Sequence, residues 1–453
     1  MKDVKYKKVS ILGCGRSGIA CANFLLRRGV KVFLSDNSEH VDLSKLISLS
    51  GVEVELGGHT EKVLDAELII LSPGVPPKLP VIEKAINSGI PVVNELEFGL
   101  SLVSPRCIIG ITGTNGKTTT TALVGHVLKH HFGEDKVIVA GNIGVPISSV
   151  VEEINRETVL VLEISSYQLE TSKDIHINIA CMLNITPDHL GRHKTMEEYV
   201  GVKEKIFMNQ SVGDWCIFNY DDEILRRLSE KYKDRRIFFS RREKVDGVYI
   251  ESGDIIYGSS RIPLSVVHLP GQHNVENVLA AVSVCYVLGI PREKVIAGVD
   301  TFSGVEHRLE FVGEFSGVRF INDSKATNAD SVRVALESFP EKKNIILIMG
   351  GRHKEGSSYA ALASLIQRKV KCLLLIGEAA NIIHEELKHV VGVEVEVIHC
   401  GDLRTAVRCS KDVSKEGDVV LLSPGCASFD QFVDFEDRGR KFKEFVREIV
   451  NIK

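Results

Sequence analysis

The sequence predicts an α/β protein of three domains, each built on a mostly parallel sheet with flanking helices. A length of 453 residues suggests about three domains, at roughly 100–200 residues each. Strand-like apolar segments alternate with helical patterns along most of the chain, which implies parallel sheets. Hydrophobic residues make up 44% and charged residues 26% of the chain, as in ordinary globular proteins. We expect the domains at 1–104, 105–304 and 305–453.

The composition argues against several classes of protein. The net charge of −4 offers no electrostatic basis for binding nucleic acid. Ten cysteines are scattered singly, which fits a reducing compartment better than a secreted scaffold or a structural zinc site. No apolar run approaches the roughly 18 residues of a membrane span. The run Val9–Leu12 before Cys14 is also too short for a lipoprotein signal, so we expect neither nucleic acid nor a membrane as a partner.

The first domain opens with a strand, a glycine turn and a helix in "KVSILGCGRSGIACANFLLRRG" (8–29). Two further strands follow in "VKVFLSD" (30–36) and "ELIILSPGVPP" (67–77). The glycine turn precedes a helix and Asp36 ends the second strand, as the ribose-binding acid does in dinucleotide folds. The turn indicates a nucleotide diphosphate more firmly than a nicotinamide. A turn that needs glycine only for packing stays open as an alternative.

The second domain begins with the strand "RCIIGIT" (106–112) and the loop "GTNGKTTTT" (113–121). The standard phosphate-binding P-loop would place a glycine at position 111, where this chain has Ile111. Even so, a lysine at a helix start with a hydroxyl beside it is hard to explain by packing. Lys117 and the backbone N–H groups suit a triphosphate, and Thr118 is placed to bind the accompanying Mg²⁺.

Three further strands are predicted in this domain, in "VIVAGNIG" (137–144), "TVLVLEISS" (158–166) and "INIACMLNITPDH" (177–189). The ends of the last two carry polar side chains. Glu163 interrupts the apolar run "VLVLEI" (159–164), and a buried carboxylate is costly unless something pairs with it. A metal ion, an N-cap role or a salt bridge would each account for it. His189 follows "NITPD" (184–188) and is either a metal ligand or a structural histidine that shares a helix face with His193.

The third domain repeats one strand–loop–helix unit five times. Its strands are expected in "VRFINDS" (318–324), "NIILIMGG" (344–351), "KCLLLIGE" (371–378), "VEVIHCGD" (395–402) and "DVVLLSPG" (418–425). In parallel sheets of this kind, ligands bind in the loops that follow the carboxyl ends of the strands.

The segment 195–210 is predicted to be a helix with a lysine on its apolar face. Met196, Tyr199, Val200, Lys203, Ile206 and Phe207 recur at spacings of three and four. Lys203 is therefore expected to point inward while Lys205 points outward. Burial shifts a lysine towards its neutral amine, although a lysine that reaches solvent from a core helix is the alternative.

Eight motifs occur together and in order along the chain. They are "GTNGKT", "GNIG", "EISSYQLE", "NITPDHL", "GQHNVENVLAA", "EHRLE", "NDSKATN" and "LLSPGCASFDQF". With them the chain resembles the Mur ligases over essentially its whole length, and most of all the members that add D-glutamate. "GTNGKT" alone is shared with a wider ATP-dependent superfamily, whereas "DSKATN" and "SPGCASFDQF" point to those members. The family's phosphate loop has the spacing seen here, so Ile111 is a strand residue and no glycine is missing.

The resemblance implies an ATP-dependent ligase with a Rossmann-like N-terminal domain, a P-loop ATPase-like central domain and a Rossmann-like C-terminal domain. Its substrates would be UDP-N-acetylmuramoyl-L-alanine, ATP and D-glutamate, joined through an acyl phosphate. Two Mg²⁺ ions are implied, together with a Lys203 that CO₂ has converted to a carbamate, an oxygen ligand for a hard cation. We expect a monomer in a bacterial cytoplasm.

The resemblance also assigns residues, position by position. The UDP substrate would contact Arg16, Ser17, Asp36, Asn37, Gly74, Asn142 and Ser165. ATP would contact Gly113, Thr114, Asn115, Gly116, Lys117, Thr118, Thr119, Asn277, Arg308 and Asp323. The metal ligands would be Thr118, Glu163, His189 and Lys203, and the catalytic residues Lys117, Asn142, His189 and Lys203. D-glutamate would contact Lys325, Thr327, Lys354, Ser428 and Phe435. Arg352 is an alternative to Lys354, and a surface ion pair is the alternative role for Arg308.

Three other functions remain as rivals. A folylpolyglutamate synthase would not need the roughly 105 residues that precede "GTNGKT". An NAD-dependent oxidoreductase built on the first domain leaves the second glycine loop unexplained. A nucleotide switch without a product leaves the five strand-end loops of the third domain unexplained.

Overall fold

The structure is a computed structural model that describes residues 2–41, 43, 44, 46, 47, 50–142, 144–269, 271–353, 357–390 and 394–451. It divides into two compact units. The first unit comprises Met1–Val267 and Val275–Phe302, and the second comprises His268–Asn274 and Ser303–Lys453. None of the helices in the described residues is long and apolar enough to cross a membrane.

The first sheet has five parallel strands. They are Lys8–Leu12 (β1), Lys31–Asp36 (β2), Val52–Leu56 (β3), Leu68–Leu71 (β4) and Val92–Asn94 (β5). Their order is β3-β2-β1-β4-β5, as in a doubly wound nucleotide-binding fold. The helices are Arg16–Arg27 (α1), Pro80–Asn87 (α2) and Glu95–Ser101 (α3). The sequence analysis identified β1, β2 and β4; it missed β3, which is only partly buried, and β5, which has three residues.

The second sheet, also in the first unit, has nine strands. They are Cys107–Thr112 (β6), Val137–Gly141 (β7), Val159–Glu163 (β8), Ile179–Met182 (β9), Trp215–Asn219 (β10), Arg236–Ser240 (β11), Gly247–Glu251 (β12), Asp254–Tyr257 (β13) and Ser260–Pro263 (β14). Their order is β14-β13-β12-β11-β10-β9-β6-β8-β7. Pairing is parallel from β7 to β12 and antiparallel for the last two strands. The sequence analysis identified β6 to β9 and missed the five strands that widen the sheet.

The helices that follow the strands of the second sheet lie between residues 117 and 300. They are Lys117–Phe132 (α4), Ile147–Val150 (α5), Ser166–Thr171 (α6), Leu190–His193 (α7), Met196–Glu204 (α8), Glu223–Leu228 (α9), Gln272–Val287 (α10) and Arg292–Asp300 (α11). The predicted helix 195–210 is shorter than expected, because α8 ends at Glu204 and one 3-10 turn, Lys205–Phe207, follows it.

The second unit holds a six-stranded sheet. Its strands are Glu310–Phe315 (β15), Val318–Asn322 (β16), Ile345–Gly350 (β17), Val370–Ile376 (β18), Glu396–Gly401 (β19) and Val419–Leu422 (β20), in the order β15-β16-β20-β17-β18-β19. Its helices are Ala329–Glu337 (α12), Ala363–Lys369 (α13), Ala380–Leu387 (α14), Leu403–Val413 (α15) and Phe435–Asn451 (α16). The five predicted parallel strands are all present. The antiparallel edge strand β15 was not predicted, since none of its residues is fully buried and no apolar run marks it.

One hydrophobic core is shared by the first two sheets. Phe24 of α1 packs edge to face against Phe98 of α3, with ring centroids 6.3 Å apart. Both rings belong to the same buried cluster as Ile147 of α5. A shared core holds the strand ends of both sheets in a constant arrangement, because protein interiors are close-packed and resist deformation.

Candidate functional site

A cavity of about 500 Å³ lies where the strands of the first sheet end. It is lined by residues that follow β1, β2, β3 and β4: Gly13, Gly15, Arg16, Ser17, Asp36, Asn37, His59, Ser72, Pro73, Gly74, Val75 and Pro76. The lining includes all five first-domain residues that the resemblance assigns to the UDP substrate: Arg16, Ser17, Asp36, Asn37 and Gly74. The volume lies within the range of small-molecule and cofactor sites, about 300–1,000 Å³.

The glycine turn after β1 brings backbone N–H groups to this cavity. Gly13 has a φ of +92°, and a Cβ there would lie 2.7 Å from the Cβ of Ser72. The turn therefore packs directly on the loop after β4. Gly15 precedes α1 without a side-chain cap, so the first N–H groups of the helix are available to an anion.

Asp36 joins the loops after β1 and β2. One carboxylate oxygen accepts a hydrogen bond from the Cys14 N–H at 2.6 Å, and the other accepts from the Ser38 N–H at 2.8 Å. The carboxylate thus orders the turn that surrounds the cavity. A contact with a ribose stays a prediction.

The phosphate loop between β6 and α4 needs glycine at two positions. Gly113 has a φ of +155° and Gly116 a φ of +83°; a Cβ at Gly116 would lie 2.2 Å from Asn277 Oδ1. Lys117 begins α4, and its ammonium donates to the carbonyl oxygens of Gly113 at 2.9 Å and Thr114 at 2.7 Å. The lysine therefore lies across the loop, where a bound phosphate would meet it.

Neighbouring elements hold this loop in place. The Thr114 N–H donates to Asn184 O at 2.9 Å, and the Asn115 N–H donates to Asn184 Oδ1 at 2.8 Å. Asn277 of α10 accepts from the Thr120 hydroxyl at 3.2 Å. The structure thus brings Asn277 to the phosphate loop, as the resemblance implies, while its contact with adenine stays a prediction. Thr118 and Thr119 follow Lys117 and are both buried.

Glu163 ends β8 at the same edge of the second sheet. Strand pairing places it beside Ile111 of β6 and Gly141 of β7. Its side chain is 1% exposed; Oε1 accepts from Asn142 Nδ2 at 3.1 Å. Among the described residues Oε2 has no hydrogen-bond partner. The two alternatives to a metal ligand were an N-cap and a salt bridge. In the described residues, Glu163 forms neither.

Ser165 caps the next helix. Its hydroxyl accepts from the Gln168 N–H at 3.3 Å, and its backbone N–H donates to the Gln168 side-chain oxygen at 2.9 Å, which completes a capping box at the start of α6. Its assigned contact with the UDP substrate stays a prediction.

His189 lies before α7, not on it. Its backbone has a φ of +53°, a left-handed conformation that is uncommon for a side chain of this size. Nδ1 lies 3.1 Å from the Tyr167 hydroxyl, and Nε2 lies 3.3 Å from Asp188 Oδ2. His193, at the end of α7, is buried and lies 3.1 Å from Ser166 Oγ. The two histidines therefore do not share a helix face.

Lys203 is buried, as predicted from the helical spacing. It is 1% exposed, and its ammonium donates to Gly113 O at 2.8 Å and lies 4.9 Å from the centre of the Tyr199 ring. Burial and the nearby Lys117 lower the pKa of Lys203 well below its usual range, against the opposing charges of Asp188 and Glu163. The side chain of Lys203 thus contacts the backbone of the phosphate loop. Its amine tends towards the neutral form.

Lys205 corrects one expectation. It was predicted to point outward, but its ammonium donates to the carbonyl oxygens of Glu170 at 2.7 Å and Ser172 at 3.2 Å. The reason is the 3-10 turn after Glu204, which departs from the regular helical spacing on which the prediction was based.

In the second unit, Asp323 is buried and lies close enough to Arg308 to interact with it electrostatically. Asp323 accepts from the Ser423 hydroxyl at 2.8 Å and from the Leu309 N–H at 3.2 Å. Burial raises the pKa of Asp323 to about 7, although Ser423 and the nearby Arg308 favour its charged form. Arg308 Nε is buried and has no hydrogen-bond partner within the described part of the chain. Arg308 as a whole is half-buried, and its role stays a prediction.

Four of the five residues assigned to D-glutamate, Lys325, Thr327, Ser428 and Phe435, follow the strands β16 and β20 of this unit. The Lys325 ammonium lies 5.7 Å from the centre of the Phe435 ring, and the Ser324 hydroxyl donates to Phe435 O at 2.8 Å. Ser428 is buried and Thr327 is exposed. Lys354 lies outside the described residues. The structure therefore brings Lys325 and Phe435 together, and the assignments themselves stay predictions.

Some residues at these sites were not found from the sequence. Arg192 donates from Nε to Glu170 Oε2 at 2.7 Å and from Nη2 to Val75 O at 3.1 Å, and its guanidinium lies 4.3 Å from the centre of the Tyr167 ring. Arg438 is completely buried, and its Nη2 donates to Ser324 O at 2.8 Å. Sequence spacing carries no signal for either residue, since each bridges segments more than 100 residues apart.

Three models of known domain families match the chain. The Mur ligase MurD-like N-terminal domain matches residues 7–94, the Mur ligase middle domain 111–285, and the Mur ligase glutamate ligase domain 307–426. The predicted domain boundaries, after residues 104 and 304, fall between these matches and stay predictions.

Curated relatives match over nearly the whole chain. The UDP-N-acetylmuramoylalanine–D-glutamate ligase of Koribacter versatilis is 44% identical over 99% of this chain and 98% of its own length. The enzyme of the same name from Clostridioides difficile is 42% identical over 99% of this chain and 100% of its own length. Among solved structures, the UDP-N-acetylmuramate–alanine ligase of Thermotoga maritima matches with a TM-score of 0.62 and 21% identity, over 98% of this chain and 99% of that one. At that identity the last likeness concerns the fold alone.

Proposed function

Because the chain belongs to the Mur ligase family, we propose that it is the ATP-dependent ligase that joins D-glutamate to UDP-N-acetylmuramoyl-L-alanine in peptidoglycan precursor synthesis. The observation that carries this function is the 44% identity, over 99% of the chain, to a relative that bears the name of that activity. The reaction uses a nucleotide-linked precursor, so we place it in the bacterial cytoplasm. Another Mur-type or folylpolyglutamate-type amino-acid ligase is the second candidate.

The chemistry requires activation of a carboxylate. Oxide is a very poor leaving group, so the γ-phosphate of ATP is first transferred to the alanyl carboxylate, which gives an acyl phosphate and ADP. The amine of D-glutamate then attacks the acyl carbon, the amide bond forms, and phosphate leaves. Negative charge develops on oxygens in both steps, so the site needs positioned cations and hydrogen-bond donors.

The central site suits ATP as a substrate. The start of α4 supplies backbone N–H groups and Lys117 supplies a positive charge, which together favour the β- and γ-phosphates. The ammonium now bonds to two carbonyl oxygens of its own loop, and we infer that it exchanges these for phosphate oxygens when ATP binds. Thr118, Thr119 and Asn277 would complete the contacts on this side of the nucleotide.

Residues around Glu163 suit Mg²⁺. The fit is supported by Glu163 Oε2, which is buried and has no partner in the described residues; a hard cation bound by carboxylate and hydroxyl oxygens would satisfy it. Glu163 and Thr118 would hold one ion, and His189 a second. When bound, Mg²⁺ would neutralise charge on the phosphate and carboxylate oxygens. Asn142, which donates to Glu163 at 3.1 Å, would keep that carboxylate oriented and present its remaining polar atoms to the acceptor.

Lys203 is proposed to act as a carbamate. A buried amine with a lowered pKa is a nucleophile at neutral pH, and addition to CO₂ with loss of one proton converts it to an anion with two oxygens. That anion would place a favourable negative charge near Lys117. It would also add oxygen ligands beside Glu163.

The remaining assigned residues lie at the strand ends of the first sheet and of the sheet in the second unit. The cavity of the first sheet would hold the UDP group, with its diphosphate at the start of α1. In the second unit, Lys325, Thr327, Lys354, Ser428 and Phe435 would bind D-glutamate, whose two carboxylates need at least two sets of donors. Arg308 and Asp323 would contact ATP. We expect the protein to act as a monomer.

The test is release of phosphate from ATP by the purified full chain. We expect release only when UDP-N-acetylmuramoyl-L-alanine and D-glutamate are both present, with Mg²⁺. Reactions that lack one substrate, or contain L-glutamate in place of D-glutamate, serve as controls. No release with the complete pair, but turnover with a folate and glutamate, would replace this function by the second candidate.

A further inference from the structure

His59 lines the first-sheet cavity but has no role in the site described above. It lies in the loop after β3, and the sheet order β3-β2-β1 places that loop two strands away from the glycine turn and α1. If the diphosphate binds at the start of α1, the opposite end of the cavity, with Asp36, Asn37 and His59, is left for the nucleoside. His59 is therefore placed to contact the base.

The hydrogen bonds around Ser35 favour one of the two positions for the proton of the neutral His59 ring. Ser35 is completely buried, and its hydroxyl lies 3.0 Å from Gly58 O, 3.2 Å from Glu55 Oε2 and 2.7 Å from His59 Nδ1. A carbonyl oxygen and a carboxylate can only accept, and a hydroxyl has one proton to donate. The arrangement that satisfies the most of these groups has Ser35 donate to Gly58 or Glu55 and accept a hydrogen bond from Nδ1–H of His59.

Glu55 is ionised in this arrangement. Burial alone would raise its pKa, but hydrogen bonds from the N–H and hydroxyl of Thr60, and from Ser35, lower the pKa of Glu55 overall. The Thr60 bonds are 2.9 Å and 2.5 Å long. A charged acceptor beside Ser35 strengthens the case for Nδ1 as the donor.

The other ring nitrogen is then an acceptor. Burial lowers the pKa of His59, although Asp36 and Glu55 oppose the shift, so the ring is neutral at pH 7 and Nε2 carries a lone pair. Within the described part of the chain Nε2 has no hydrogen-bond partner. Nδ1 is held on the buried Ser35, and His59 lines the cavity; we infer that Nε2 is the ring nitrogen open to a ligand there.

Two of the other polar side chains around the cavity, Asp36 and Ser72, are already engaged. Both carboxylate oxygens of Asp36 accept backbone N–H groups, and the Ser72 hydroxyl donates to Gly13 O at 2.8 Å. Arg16 carries only donors. His59 Nε2 is thus a directed acceptor at the nucleoside end of the cavity.

We propose that His59 selects a uracil base by accepting the N3–H of its imide at Nε2. Uracil has a donor at N3, whereas cytosine has a lone pair there, which would face the lone pair of Nε2. A site built to accept a hydrogen bond discriminates strongly against an analogue that cannot donate it. This inference rests on the proposed function, because it assumes that the first-sheet cavity holds the UDP group.

Calorimetric titration of the full chain with nucleoside diphosphates, without ATP or D-glutamate, tests the proposal. The probes are UDP, CDP and 3-methyluridine diphosphate, which keeps both carbonyl groups of uracil but has no N3–H. We expect UDP to bind about tenfold more tightly than either analogue, the effect of one hydrogen bond. His59→Ala should weaken UDP about tenfold and leave CDP nearly unchanged. His59→Gln, whose amide oxygen can still accept, should keep part of the preference.

His40→Ala is the matched control, because His40 is an exposed histidine of the same domain; it should bind all three ligands like the wild type. Equal weakening of UDP and CDP by His59→Ala would mean that His59 only supports the loop, and would overturn the proposal. So would an unchanged ratio of UDP to CDP affinity in both His59 variants. A wild-type chain that binds neither UDP nor CDP would instead refute the UDP site of the proposed function, and this inference with it.

Discussion

At the scale of single residues, two buried ionisable groups border the phosphate loop without pairing with each other. Glu163 and Lys203 are each 1% exposed, and the described residues show no ion pair between them. A buried charge without a partner costs several kcal/mol, and removing the charge or binding an ion relieves that cost. The lowered pKa of Lys203 and the unpartnered oxygen of Glu163 fit a site that is completed by ligands.

Lys203→Ala is expected to abolish nearly all turnover, because it removes the carbamate proposed to bind Mg²⁺. Acetate or formate should restore part of the activity, since a small carboxylate can occupy the vacated space and supply the missing oxygens. The measurement is phosphate release with and without acetate, and the same acetate added to the wild type is the control. Near-normal turnover of Lys203→Ala in CO₂-depleted buffer would contradict the carbamate.

Asp323→Asn is expected to change how stability depends on pH. The pKa of Asp323 is raised from 3.8 to about 7 in the folded chain. The neutral acid therefore stabilises the fold fully below about pH 4, and this contribution is lost as pH rises through 7. Between pH 5 and pH 8 the wild type should lose about 2–3 kcal/mol more than the variant. Urea unfolding of both proteins at the two pH values measures this, and parallel losses would contradict it.

At the scale of elements, helix ends connect the first two sheets. Asn94 caps α3 by accepting the Glu97 N–H at 2.8 Å, and its own amide donates to Gln168 O at 2.8 Å and to Ser172 Oγ at 2.9 Å. Asn94 is completely buried. Asn94 therefore ends β5 and caps α3. Its side chain also bonds to α6, the helix that follows β8 and Glu163.

Asn94→Ala should destabilise the first unit more than an ordinary cap mutation. Loss of the cap costs about 1 kcal/mol, and loss of the amide hydrogen bonds to Gln168 O and Ser172 Oγ costs about 0.5–1.5 kcal/mol each. The measurement is the urea midpoint of unfolding. Asn87→Ala, at an exposed position at the end of α2, is the control; a similar small effect of both substitutions would show that Asn94 does not link the sheets.

At the scale of the whole molecule, the two proposed nucleotide sites lie on different sheets of one unit. The cavity that we assign to UDP follows β1 to β4, and the phosphate loop follows β6. Each site has its own glycine turn and its own helix start. A change that removes the charge at one helix start should therefore leave binding at the other nearly intact.

Lys117→Ala should lower turnover at least 100-fold, the scale of losing one donor to developing charge. The affinity for UDP should stay within about twofold of the wild type. If UDP bound at the same site, the loss of one hydrogen bond from Lys117 would weaken UDP binding about tenfold. Lys129→Ala, a surface position on the same helix, is the control and should turn over normally. Equal loss of UDP binding and turnover in Lys117→Ala would place both nucleotides in one site.

The sequence by itself determined the fold class, the parallel strands with continuous apolar runs, and the residues of the glycine loops. It also placed Lys203 on a buried helix face. These features depend on the spacing of apolar, polar and glycine residues within short segments, which can be read directly from the sequence. The strands missed were those without an apolar run, such as β3 and β15, because partial exposure removes the signal.

Only the tertiary structure decided which polar groups meet. His59 bonds to Ser35, 24 residues away, and Arg192 bonds to Val75, 117 residues away. The two carbonyl oxygens that accept from Lys205 are likewise more than 30 residues away along the chain. Hydrogen bonds depend on distances and angles in space, and sequence spacing does not specify these for segments that come together only when the chain folds.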